Sequence, residues 1–120
     1  MKKRIRSFGY AGKGIRMVFS TEPNMRIHIL IAILVTFFGV ILSISITEWM
    51  LCILCFGLVI SAEMINTAFE NIVDLVSPEK NEIAGKVKDI AAGAVLVCAI
   101  ISAIVGLIIF IPKGLSFIIQ

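Results

Sequence analysis

From Ile27 to Ile46 the chain contains no Asp, Glu, Lys or Arg, and aliphatic and aromatic side chains fill most positions. A helix rising 1.5 Å per residue needs about twenty such residues to cross roughly 30 Å of hydrocarbon. This is the clearest span of the chain. Two further apolar stretches, about 49–76 and 89–111, have the same character. With 120 residues and 59% apolar content, the chain is too short for two domains and too apolar for an ordinary soluble one. The expected fold class is an all-α membrane protein: one domain, residues 1–120, with spans at about 27–46, 49–76 and 89–111. Ser77-Pro78-Glu79-Lys80-Asn81 separates the last two spans as a solvated turn, and Trp49 is placed as an interfacial anchor.

Charge is distributed unevenly. Seven of the eleven Lys and Arg residues precede Ile27, with only Glu22 opposing them. This suggests a membrane surface and not nucleic acid. On a helical wheel Lys2, Arg6, Lys13 and Arg16 share an arc of about 80°, and Phe8, Ala11, Ile15, Val18 and Phe19 share an arc of about 100° away from it. The pattern fits an amphipathic surface helix over about 5–20; a basic anchor that only fixes topology fits equally well. Gly9, Gly12 and Gly14 weaken that helix and leave room for a close backbone approach, but they do not form a phosphate-binding GxxxxGK[ST] loop. The apolar run starts too late for a cleaved signal peptide, so the first residues are expected to be retained. Ten of the eleven basic residues lie in the first segment and in Ser77–Lys88, which puts the N-terminus in the cytoplasm by the positive-inside rule. Cys52, Cys55 and Cys98 all sit in apolar runs and are read as small lipid-buried residues, not as a zinc or redox site.

Glu63, Asn66, Glu70 and Asp74 interrupt this apolar chemistry at spacings of three and four. At 100° per residue they fall within an arc of about 80°, forming a polar stripe on one helix. A carboxylate at membrane depth costs roughly 2.5–3.5 kcal/mol on insertion scales, which makes the stripe the candidate for chemistry. Asn66 and Thr67 alone could be interhelical glue; two acids and an Asn exceed that need. Asp74 ends its helix against the macrodipole and needs a cation, for which Lys86 and Lys88 are candidates. Asp89 is read as a cap opening the third span. Glu22 has two readings: it precedes Pro23 at a helix start and can pair with Arg26, or it meets Glu70 at the inner leaflet, where two carboxylates could hold Mg²⁺.

Glu63-x-x-Asn66-Thr67-Ala68-x-Glu70-x-x-x-Asp74, followed by Lys88-Asp89, resembles the small prokaryotic diacylglycerol kinase family, including the undecaprenol kinases. Tyr10-Ala11-Gly12-Lys13-Gly14 and Thr21-Glu22-Pro23-Asn24-Met25-Arg26 look like that family's surface helix and first metal-ligand segment. The resemblance implies a homotrimer with active sites shared between chains in the bacterial cytoplasmic (inner) membrane. It also implies ATP-dependent phosphorylation of a membrane lipid alcohol. Glu63 would be the general base, and Glu22 and Glu70 the Mg²⁺ ligands. Asn66 and Arg26 would position the substrate, with Asp74 in support. Tyr10, Glu79, Lys80, Asn81, Lys88 and Asp89, with the two metal ligands, would surround the nucleotide. His28 stands where some diacylglycerol-specific members carry an acid, and Pro23–His28 looks more like the undecaprenol kinase branch. Undecaprenol is therefore the slightly favoured acceptor and diacylglycerol the alternative. A non-enzymatic reading also exists, in which a ring of Glu63 side chains lines a proton or cation pathway.

Overall fold

A computed structural model describes all of residues 1–120 as four helices: α1 (Lys2–Thr21), α2 (Pro23–Ile41), α3 (Ile46–Val76) and α4 (Glu82–Ile119). Three of them, α2, α3 and α4, are long and apolar enough to cross a membrane, as expected, but α2 ends at Ile41, five residues short of the expected span end at Ile46. The helix α1 is the basic, amphipathic N-terminal one, and most of it is exposed.

One residue separates α1 from α2. Glu22 is extended (φ −99°, ψ 114°) and caps both helices through its backbone: its N–H donates to the Val18 carbonyl and its own carbonyl accepts from the Met25 N–H. Pro23 follows at the first helical position, where a missing N–H costs nothing. The second helix therefore starts four residues before the apolar run, because caps and not hydropathy decide where a helix begins. Met25, fully buried, and Val18 pin this corner.

At its other end α2 closes with a Schellman arrangement. Ile44 N–H donates to the Gly39 carbonyl and Ser43 N–H to that of Val40, with Ser43 in the left-handed region at φ 52°. This folds the Trp49 ring onto Gly39, where an added Cβ would stand 2.6 Å from the indole and 3.1 Å from Ile44. Trp49 thus serves as packing between α2 and α3. Ser45 and Glu48 then form a reciprocal capping box at the start of α3.

The start of α4 differs from the sequence reading. Asn81 is the N-cap, its Oδ1 accepting from the N–H groups of Ile83 and Ala84, so the helix begins at Glu82. Asp89 lies two turns inside and caps nothing. Residues 82–88, with charges at Glu82, Lys86 and Lys88, form helix because a cap precedes them and Glu82 and Lys86 sit at i,i+4. At the far end the helix runs through Pro112, which only deprives the Ile108 carbonyl of a donor.

Helices α3 and α4 pack antiparallel along most of their length. Lys88 pairs with Asp74 at one end, Ser102 Oγ donates to the Cys55 carbonyl at 3.5 Å midway, and Lys113 pairs with Glu48 at 3.0 Å at the other end. The two ion pairs lie 26 residues apart on α3, about 39 Å, and so bracket roughly one hydrocarbon thickness plus interfaces. Glu63 lies between them, nearer Asp74.

Candidate active site

The buried face of α3 consists of Val59, Glu63, Thr67 and Val73. Glu63 is 2% exposed, so a carboxylate sits inside a span among apolar neighbours. Thr67 Oγ1 donates back to the Glu63 carbonyl at 3.0 Å and spends its hydroxyl there. The side-chain partner of Glu63 comes from α2: His28 Nε2 lies 3.3 Å from Glu63 Oε1. Sequence reasoning noted His28 only as a branch marker. Thirty-five residues separate the two, and no local periodicity links them.

One turn further on, Asn66 Nδ2 donates to Glu70 Oε1 at 3.1 Å. This orientation follows from chemistry, since a carboxylate accepts from the amide nitrogen and repels the amide oxygen. It leaves Asn66 Oδ1 as the single buried side-chain polar atom with no partner. A buried acceptor without a donor carries a desolvation cost of about 1–3 kcal/mol and is available to an incoming hydroxyl or N–H. Asp74 completes the stripe and holds Lys88 of α4. Of the two lysines the sequence offered as its cation, Lys88 is the partner, while Lys86 pairs with Glu82.

Glu22 is half-buried at the α1–α2 corner, and its side chain neither caps a helix nor pairs with Arg26. The carboxylate is uncommitted. Counting from the His28–Glu63 contact, six residues back along α2 and seven residues on along α3 are similar rises of about 9 and 10 Å, so Glu22 and Glu70 lie at a similar depth. No three His, Cys, Asp or Glu side chains converge as a metal cage. The hard oxygen set of Glu22 and Glu70 nevertheless suits Mg²⁺, which takes one or two carboxylates and completes its shell with substrate phosphates and water.

The remaining candidates are more dispersed. Tyr10 is exposed on α1, with the Lys13 ammonium 5.9 Å from its ring centre. Arg26, Glu79, Lys80 and Asp89 are exposed, and the Asn81 carbonyl oxygen is used in capping. Within one chain these groups are not drawn onto the stripe by any hydrogen bond or ion pair. The three cysteines are free thiols, and Cys52 and Cys55 line an apolar cleft of about 610 Å³ between α2 and α4 over α3. His28 stands in its wall, beside Ile31, Val35, Phe56 and Val59.

The site is thus a buried carboxylate within a span, followed by a polar file that leads to a charged turn between lipid and water. The sequence profile of the family described as prokaryotic diacylglycerol kinase matches residues 9–110. Undecaprenol kinase of Bacillus subtilis (strain 168) is 42% identical, covering 94% of this chain and 92% of its own. Diacylglycerol kinase of Synechocystis sp. (PCC 6803) is 39% identical over 92% of this chain and 63% of its own, and that of Escherichia coli K12 is 30% identical over 83% and 82%. The chain belongs to the prokaryotic diacylglycerol kinase family, and with it to the lipid kinases.

Proposed function

We propose that this protein transfers the γ-phosphoryl group of ATP to the hydroxyl of a membrane lipid alcohol, with undecaprenol favoured over diacylglycerol. The carrying observation is Glu63, a carboxylate 2% exposed within a span and paired with a histidine instead of a Lys or Arg. A carboxylate without a permanent counter-cation retains the capacity to take a proton. The lipid hydroxyl gives its proton to Glu63 as its oxygen forms the new bond to phosphorus; the bond to the β-phosphate oxygen breaks and ADP leaves. Asn66 directs its free Oδ1 at the acceptor side and, with Arg26, orients the substrate. Lys88, held by Asp74, meets charge on the transferring phosphoryl group, and Tyr10, Glu79, Lys80, Asn81 and Asp89 surround the nucleotide.

Glu22 and Glu70 are the residues that would hold Mg²⁺, which when bound offsets the negative charge of the triphosphate. The basic N-terminus and the 77–88 segment support a cytoplasmic placement of this end, in the bacterial inner membrane where ATP is available. A homotrimer with sites shared between chains would account for nucleotide-side residues that one chain leaves apart. The preference for undecaprenol rests on the 42% identity to the Bacillus subtilis relative, against 39% and 30% for those named diacylglycerol kinase.

Purified protein in mixed micelles with Mg²⁺ and γ-labelled ATP tests the reading. Label is expected to move to lipid and to vanish in Glu63→Gln. Ion flux in vesicles without any label transfer would replace the kinase with a conducting pathway. Undecaprenol and diacylglycerol offered together should give mainly labelled undecaprenyl phosphate; preferential labelling of diacylglycerol would reverse the substrate assignment.

A further inference from the structure

The contact between His28 and Glu63 is the only side-chain polar contact between α2 and α3. Its chemistry is unusual for its place. A buried carboxylate in a span is ordinarily paired with a cation, and a Lys or Arg would neutralise it permanently. Here no Lys or Arg comes within ion-pair distance of Glu63: Lys88 of α4 is taken by Asp74, Arg26 of α2 makes no ion pair, and neither do Lys13 and Arg16 of α1. The other carboxylates on its own helix, Glu70 and Asp74, lie two and three turns toward the end of α3, and Asp89 is exposed on α4. An imidazole donating Nε2–H to the carboxylate satisfies one of its oxygens and fixes its direction, leaving the other oxygen open. At 3.3 Å the contact is longer than the roughly 2.7–2.9 Å of a tight charge-assisted bond, so it orients more than it locks.

His28 also has a second neighbour. Its side chain forms part of the wall of the apolar cleft, whereas Glu63 does not line it. A hydroxyl that reaches Glu63 from the lipid by this cleft passes His28 first.

We infer that His28 is a positioning residue for the phosphoryl transfer: its Nε2–H holds the Glu63 carboxylate in the orientation that receives the lipid hydroxyl at the head of the cleft. This rests on Glu63 being the base. Displacing a reacting group by an ångström can cost about a hundredfold, so the effect belongs in turnover and not in nucleotide affinity.

The test compares His28→Phe, His28→Gln and Glu63→Gln in the full-length protein in micelles. His28→Phe keeps the ring's volume and removes the donor; turnover at saturating ATP should fall about 10- to 100-fold while the KM for ATP stays within about twofold. His28→Gln restores an N–H donor and should recover most of the turnover, to within about fivefold of wild type. Wild-type turnover in His28→Phe overturns the inference, and so does an equal loss in Phe and Gln variants, which would make the imidazole itself the proton acceptor or merely a packing element. If His28→Phe does not fold, His28→Gln against His28→Leu reads the same difference. Label transfer persisting in Glu63→Gln would instead sink the assignment of the base, whatever the His28 variants do.

Discussion

Ser43 sits in the left-handed region at φ 52°, where an L side chain costs roughly 1–2 kcal/mol and glycine costs little. Ser43→Gly is therefore expected to stabilise the α2–α3 corner by about 0.5–1 kcal/mol, after the greater freedom of glycine in the unfolded chain is subtracted, and to raise the midpoint of thermal unfolding in detergent. Asn66 offers a functional counterpart. Asn66→Leu removes both the donor to Glu70 and the unpartnered Oδ1, so label transfer should drop at least about tenfold while the unfolding midpoint moves little, the loss of the orphan acceptor offsetting the lost bond to Glu70. An unchanged rate would show that Asn66 is only interhelical glue. At this scale the stripe was fully legible, because its four positions share one helix face and the face follows from spacing alone. His28 was not, because a partner on another helix leaves no trace in periodicity.

Among the elements, the α3–α4 pair carries an ion pair at each end, and the two ends are expected to behave differently. Asp74 and Lys88 are 62% and 41% exposed, so their pairing is worth about 0–1 kcal/mol in stability. Lys88→Met should thus unfold within about 1 kcal/mol of wild type but lose a hundredfold or so in turnover, as expected for a charge aimed at the transferring group. A loss of stability with intact turnover would make Lys88 a mere strut. Gly39 gives the packing test: Gly39→Val drives a side chain into the Trp49 ring and should cost about 1–3 kcal/mol, read as a lower unfolding midpoint. The sequence reading takes Asp89 as the cap that opens the third span, whereas Asn81 caps α4 and the helix starts at Glu82, seven residues before the predicted start. Hydropathy reports where lipid begins, whereas the helix follows its hydrogen bonds back to Asn81.

For the whole molecule, only nine of 120 residues are buried, and large apolar side chains cover every span. That surface needs lipid or further copies of the chain. The proposed trimer predicts a protein mass of three chains by light scattering in detergent, with turnover per chain falling as micelle dilution separates the subunits; full activity in a monomer would remove the shared site. The junction between the N-terminal helix and the first span is a single residue, Glu22, whose side chain caps neither helix.

The chain's own sequence determined the three spans, the basic N-terminal helix and the polar stripe, because each depends on composition or on contacts within a few residues. Only the tertiary structure decided that Glu63 faces His28, that Asp74 takes Lys88 and not Lys86, and that Gly39 lies under Trp49. Those pairings depend on the register between antiparallel helices, which is set by the α1–α2 and α2–α3 corners and by side-chain packing, and no single helix contains that information.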